Sequence, residues 1–156
     1  MSLPAGPVLA AVAPLATSDS SGGLAALAVF VGSGVGGLLR YAVGLAGRRA
    51  LINLGPLGAA TTGTLFVNVA GSALLMLLIA FAERRGGFSS EATRLLWTTG
   101  AMGGFTTYSA FNAEVLALSG AGRHGAACAY LAMTVIGCAV GGWLGGRFGG
   151  WLGASY

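Results

Sequence analysis

Apolar residues fill four long stretches of this chain, separated by short polar connections. The first, 24–46, is apolar apart from Arg40. The second, 57–81, runs 25 residues without a charge. The third, 95–118, is uncharged until Glu114, and the fourth, 125–146, carries no charge at all. At 1.5 Å per residue each stretch is long enough for a hydrocarbon core of about 30 Å. Backbone polar groups inside lipid must pair with one another, so the stretches are expected to be helices. The connections are short, at about 47–56, 82–94 and 119–124. The pattern predicts a four-helix membrane domain over 23–147 and a C-terminal tail over 148–156. Ahead of it, Pro4, Pro7, Pro14 and a Ser/Gly cluster predict a flexible tail over 1–22. That tail has no basic start, which argues against a secretory signal.

Composition agrees with this pattern. Of 156 residues only 8% are charged, 55% are hydrophobic and 29 are glycine. Mean hydropathy is +0.81. So few charges cannot cover the surface of a water-soluble domain. The hydrophobicity excludes disorder, and glycine without a three-residue period excludes collagen. All eight basic residues are arginines, scattered between apolar runs. They form no basic stripe, so nucleic acid is not an expected partner despite a pI near 9.7. Cys128 and Cys138 lie about 15 Å apart on a helix, too far for a disulfide. With His124 they make no convincing metal site.

Charge placement bears on topology. Arg48, Arg49 and Arg123 fall on one side of the membrane; Arg84, Arg85, Arg94 and Arg147 fall on the other. Three against four, with Arg40 near the first side, leaves almost no positive-inside bias. Either the chain inserts in both orientations and forms an antiparallel dimer, or it is a weakly biased protein with one fixed orientation. Four helices alone make a thin bundle, poorly able to shield a polar path from lipid; two copies do better.

Small residues recur at contact spacing: Gly32/Gly36, Gly141/Gly145 and Gly142/Gly146. These are read as packing surfaces. The third stretch differs. It reads Gly103-Gly-Phe-Thr-Thr-Tyr-Ser-Ala-Phe111, and a glycine pair followed by two threonines is poor helix sequence. Either it unwinds in mid-membrane and exposes carbonyls suited to a hard monovalent cation, or it is a tightly packed crossing. Tyr108 and Phe111 share a helix face, as ring edges for a dehydrated anion or as ordinary core or lipid-facing aromatics. Tyr130, Thr134 and Cys138 form a slowly drifting stripe of donors, unless Thr134 bonds to its own helix. Asn68 is an amide in hydrocarbon and must face a partner or a pore. Arg40 either snorkels or lines an aqueous vestibule, where Glu114 is a candidate partner.

No catalytic constellation is present: no Ser/His/Asp set, no paired intramembrane carboxylates, no phosphate loop. An enzyme is not expected. A proton-coupled drug or cation exporter of similar size needs a deep carboxylate, which the first, second and fourth stretches lack. A non-transporting scaffold, with Asn68 as helix glue, is the other alternative.

The segment 103–111 closely resembles the Gly-Gly-x-Thr-Thr-Phe-Ser-Thr-Phe signature of the CrcB/Fluc fluoride channels. Gly37-Leu-Leu-Arg-Tyr41, Gly63-Thr-Leu-x-Val-Asn68 with Gly71, and the Tyr130/Thr134/Cys138 stripe match in order. The likeness covers about 24–146. It implies an all-α, antiparallel, dual-topology dimer in the cell's inner or plasma membrane, with four transmembrane helices and a break in the third. Two pores pass fluoride out of the cell, where HF that diffused in has ionised. The resemblance implies pore residues Asn68, Tyr108, Ser109, Phe111, Tyr130, Thr134 and Cys138, and vestibule residues Arg40 and Glu114. It also implies a structural Na+ at the dimer centre, on the main-chain carbonyls of Gly103 and Thr106. The expected partners are fluoride, membrane lipid and a second copy of the chain; some members pair with a paralogue. Near-zero charge bias favours the homodimer. Four departures stand out: Tyr108 for phenylalanine, Ala110 for a hydroxyl residue, Cys138 for serine or a similar small residue, and a long N-terminal tail.

Overall fold

The computed structural model describes residues 21–155, and within them every regular element is helical. Helix α1 spans Ser21–Ala50 and leads through a 3₁₀ turn, Ile52–Leu54, into α2, Gly55–Arg84. Pro56 sits at the start of α2, where its missing N–H costs nothing. Gly86 and Gly87 adopt φ of +90° and +96°, a region closed to most side chains, and reverse the chain. Helix α3, Glu91–Leu95, begins with Ser90 accepting from the Thr93 N–H and runs on into a π-helical stretch, Leu96–Met102. A single turn, α4, covers Gly103–Phe105; α5 spans Tyr108–Gly120 and α6 spans His124–Ala154.

Three of these helices, Gly22–Ala50, Ile52–Arg84 counted with its leading turn, and His124–Ala154, are each long and apolar enough to cross a membrane unbroken. The third hydrophobic stretch is interrupted, one of the two readings its sequence left open. The predicted C-terminal tail is corrected in part: α6 continues to Ala154, about 46 Å of helix. The reason is a longer glycine stripe than the one read from sequence. A methyl on Gly141 would meet Val69; one on Gly145 would strike Ala73, on Gly149 Leu77, and on Gly153 Phe81 and Arg84. Each step of four on α6 matches a step of four on α2, so the two helices run parallel in fixed register to their ends. The tail expected over 1–22 lies outside the described residues except for its last two, which open α1.

The interior is built from backbone contact more than from large side chains. Among the described residues only Val67 and Ile79 are large and almost fully buried. The outside is the reverse of a water-soluble protein: Leu24, Phe30 and Leu38 of α1 and Ile136, Val140 and Leu144 of α6 are exposed. Lipid tails solvate such side chains as well as a protein core would, so helix association rests on close packing. This yields a paired test. Gly149→Ala places its methyl on the Leu77 carbonyl, whereas Gly150→Ala enters open space. Gly149→Ala should destabilise by about 1–3 kcal/mol, and Gly150→Ala should be neutral or better. Thermal melting in detergent checks both; equal melting points would remove the register argument.

Candidate functional site

The site forms where the third crossing breaks. Helix α1 approaches it through Gly32 and Gly36: a methyl on Gly32 would strike Leu96, and one on Gly36 would strike Ala101 and Phe105. Arg40 follows one turn later on the same face. Its Nη1 donates to the Thr106 carbonyl at 3.2 Å. Gly71 of α2 lies on the other side, where a methyl would collide with Thr106.

The break is two extended residues, Thr106 (φ −79°, ψ 160°) and Thr107 (φ −152°, ψ 117°). Up to Thr106 the helical ladder holds, with the Thr106 N–H donating to the Met102 carbonyl at 3.0 Å. The next donor is diverted. The Thr107 N–H goes to Asn68 Oδ1 at 2.8 Å, and Asn68 Nδ2 donates to the Thr107 carbonyl at 3.0 Å. Asn68 therefore satisfies both main-chain groups of one residue, and the Gly103 carbonyl loses the N–H that would have continued the helix onto it. The Ala110 N–H donates to Thr107 Oγ1 at 3.3 Å, starting α5. That N–H is the helical partner of the Thr106 carbonyl, which receives Arg40 instead. Both carbonyls named for the cation are thus withdrawn from the ladder by neighbouring side chains. Main-chain oxygens are the donor chemistry that suits a hard monovalent cation. Gly103 is exposed.

Broken ends also carry opposed dipoles. The carbonyl end at Phe105 is negative; the amide end at Tyr108 is positive. Cation and anion preferences are set side by side within a few residues.

Three rings continue from the amide end. Tyr108 and Phe111 meet edge to face, centroids 5.7 Å apart at 60°, and Phe111 and Tyr130 do the same at 5.2 Å and 63°. Phe111 is 6% exposed, Tyr130 is buried and Tyr108 is 77% exposed. The row therefore runs from the core of the protomer to its surface. The Tyr130 hydroxyl donates to Glu114 Oε2 at 2.6 Å, and Thr64 Oγ1 donates to Glu114 Oε1 at 2.8 Å.

A cavity of about 250 Å³ lies between α1, α2 and α5. Arg40, Arg48, Thr64 and Glu114 line it. The sequence left open whether Arg40 and Glu114 share a mouth, and the cavity is lined by both. They do not pair: Glu114 is held by Thr64 and Tyr130, and Arg40 by the Thr106 carbonyl. Among the described residues the ion pair is Arg94–Glu91, 2.6 Å, at the start of the third crossing.

The other sequence-named residues fall as follows. Thr134 is buried and its hydroxyl donates to the Tyr130 carbonyl at 2.9 Å, the local bonding that its helix offers. Cys138 is half-buried, and both cysteines are free. Ser109 is exposed, 3.2 Å from the Thr107 hydroxyl. Phe111 and Tyr130 meet ring to ring and Asn68 binds Thr107 at the break, and none of the three lines the cavity. Sequence reasoning did not single out Thr64, Thr107 or Arg48. Thr64 had a usable signal: with Asn68 and Gly71 it stands at i, i+4 and i+7, one helix face. Arg48 stands two turns beyond Arg40.

These features define a multi-pass membrane protein whose third crossing is broken and braced beside a basic cavity. The chain belongs to the CrcB family: the family model described as "CrcB-like protein, Camphor Resistance (CrcB)" matches residues 27–146. It is similar to proteins named fluoride-specific ion channel FluC. The one from Methylobacterium nodulans is 45% identical over 105 residues, 67% of this chain and 79% of that protein. The one from Novosphingobium aromaticivorans is 39% identical over 117 residues, covering 75% and 89%. The one from Coxiella burnetii is 35% identical over 124 residues, covering 76% and 92%.

Proposed function

We propose that this protein is a fluoride-selective channel, not an enzyme, that lets F− leave the cell down its gradient. It works as an antiparallel homodimer in the inner or plasma membrane, with two pores and a central structural Na+. The observation that carries the reading is the row Tyr108–Phe111–Tyr130, edge to face, beginning at the Asn68-braced break. Fluoride is strongly hydrated. A pore for it must replace water with ring edges and neutral donors, without a fixed charge that traps the ion. The family membership and the relatives' printed names support the ion's identity.

The steps follow from the geometry. Arg40 and Arg48 raise the local anion concentration in the cavity. Glu114 lies in the same cavity, but its carboxylate oxygens are occupied by Thr64 and Tyr130. The ring row then offers positive edges toward the protomer surface, where Tyr108 and Ser109 meet the second copy. Thr134 gives its hydroxyl proton to its own helix and donates to F− only by rotating away from the Tyr130 carbonyl. The cation on the Gly103 and Thr106 carbonyls would neutralise their dipoles and hold the break open. The exposure of Gly103 and Tyr108 supports a dimer that completes both sites.

The direct test is purified protein in fluoride-loaded liposomes, with efflux followed by a fluoride electrode and chloride-loaded controls. Rapid fluoride release without chloride release is expected. No release from a folded dimer would overturn the homodimeric channel. Arg48 gives a finer check. Arg48→Gln should slow efflux a few-fold at 0.01 M salt and have little effect at 1 M, as the Debye length falls from about 30 Å to about 3 Å. A salt-independent effect would place Arg48 in contact with the ion instead of in the field around it.

A further inference from the structure

We infer that Arg40 couples the vestibule to the cation site, so that an anion in the cavity and a monovalent cation at the break bind cooperatively. This rests on the break being the cation site proposed above. One guanidinium faces both places: it lines the cavity with Arg48 and Glu114, and it donates to the Thr106 carbonyl at 3.2 Å. Its position is fixed by α1, where Gly32 and Gly36 press against the third crossing one and two turns before it.

The coupling has a definite sign. A cation on the Thr106 carbonyl competes with Arg40 for the same oxygen and is repelled by its charge. Glu114 makes no ion pair with Arg40, since its two oxygens take the Thr64 and Tyr130 hydroxyls, and it offsets that charge only through space. A guanidinium has five N–H donors, so an anion in the cavity has donors to engage. Engaging them draws Arg40 off the carbonyl and offsets its charge, and both changes favour the cation. Linkage makes the effect reciprocal: the cation turns Arg40 toward the cavity and tightens the anion.

The experiment is thermal melting of the full chain in detergent, titrated with Na+ against N-methyl-D-glucamine at constant ionic strength, in gluconate and in fluoride. For the unaltered protein, half-saturating Na+ should fall about tenfold in fluoride, within the usual range of coupling between sites. Arg40→Gln should bind Na+ more tightly in gluconate and show no fluoride shift. Arg40→Lys keeps the charge and should keep the shift, which covers the case in which Arg40→Gln does not fold. If Arg40 only caps the helix end, Arg40→Gln will need more Na+ and the inference is overturned. It is equally overturned by a Na+ effect that ignores fluoride. Should Na+ be indistinguishable from N-methyl-D-glucamine in the unaltered protein, the cation site itself fails, while fluoride efflux from liposomes continues to test the channel separately.

Discussion

Phe111→Ile should reduce fluoride efflux by about a hundredfold or more, equivalent to about 2.7 kcal/mol on the barrier. Phe111 is the middle ring of the row, buried, with edge-to-face contacts at 5.7 Å and 5.2 Å. Isoleucine keeps most of the volume and all of the hydrophobicity. It removes the positive ring edge, which is the property a dehydrated anion uses. The structural cost should be modest, since each aromatic pair contributes only about 0.5–1.5 kcal/mol beyond its area. Melting temperature and dimer elution therefore serve as controls. Normal flux from a folded Phe111→Ile protein would remove the ring edge from the mechanism. Tyr108, mostly exposed, offers a milder comparison: Tyr108→Phe restores the residue of the family signature and should leave flux the same or raise it.

Asn68→Ala should be the other large effect. Asn68 is 7% exposed and pairs with both main-chain groups of Thr107. Truncation leaves the half-buried N–H and carbonyl of Thr107 without these partners, at up to about 1–3 kcal/mol each and less where water reaches them. The Thr107 N–H can then return to the Gly103 carbonyl and straighten the break. Flux should fall at least tenfold, and Na+ should lose its effect on melting because one of its carbonyls is reclaimed. A donor acting only on the passing ion would lower flux and leave the Na+ effect intact. Unchanged flux would show the amide to be dispensable.

Much of this architecture was legible in the sequence. Four apolar runs separated by short connections fix four helical crossings, because lipid leaves an unpaired backbone no other solution. Gly103-Gly-Phe-Thr-Thr marks the break, since glycine and β-branched residues weaken a helix where nothing nearby supports it. Gly32, Gly36, Gly141 and Gly145 mark the contacts. Arg40, Asn68, Glu114 and Tyr130 were visible as polar exceptions on apolar spans, while Phe111 stood out only through the resemblance to the family signature.

What the tertiary structure decided was partnership. The sequence offered Glu114 to Arg40; the fold gave it to Thr64 and Tyr130, because α2, α5 and α6 converge there and α1 carries Arg40 past it to the Thr106 carbonyl. It left Asn68 facing either a partner or a pore; the fold supplies the partner, Thr107, which takes both ends of the amide. It ended the last helix near Gly146, whereas Gly149 and Gly153 continue the stripe against α2 to Ala154. Periodicity along one helix tells which residues share a face. Which face meets which, and which donor reaches which acceptor, depends on helices far apart in the chain, and only their packing sets it.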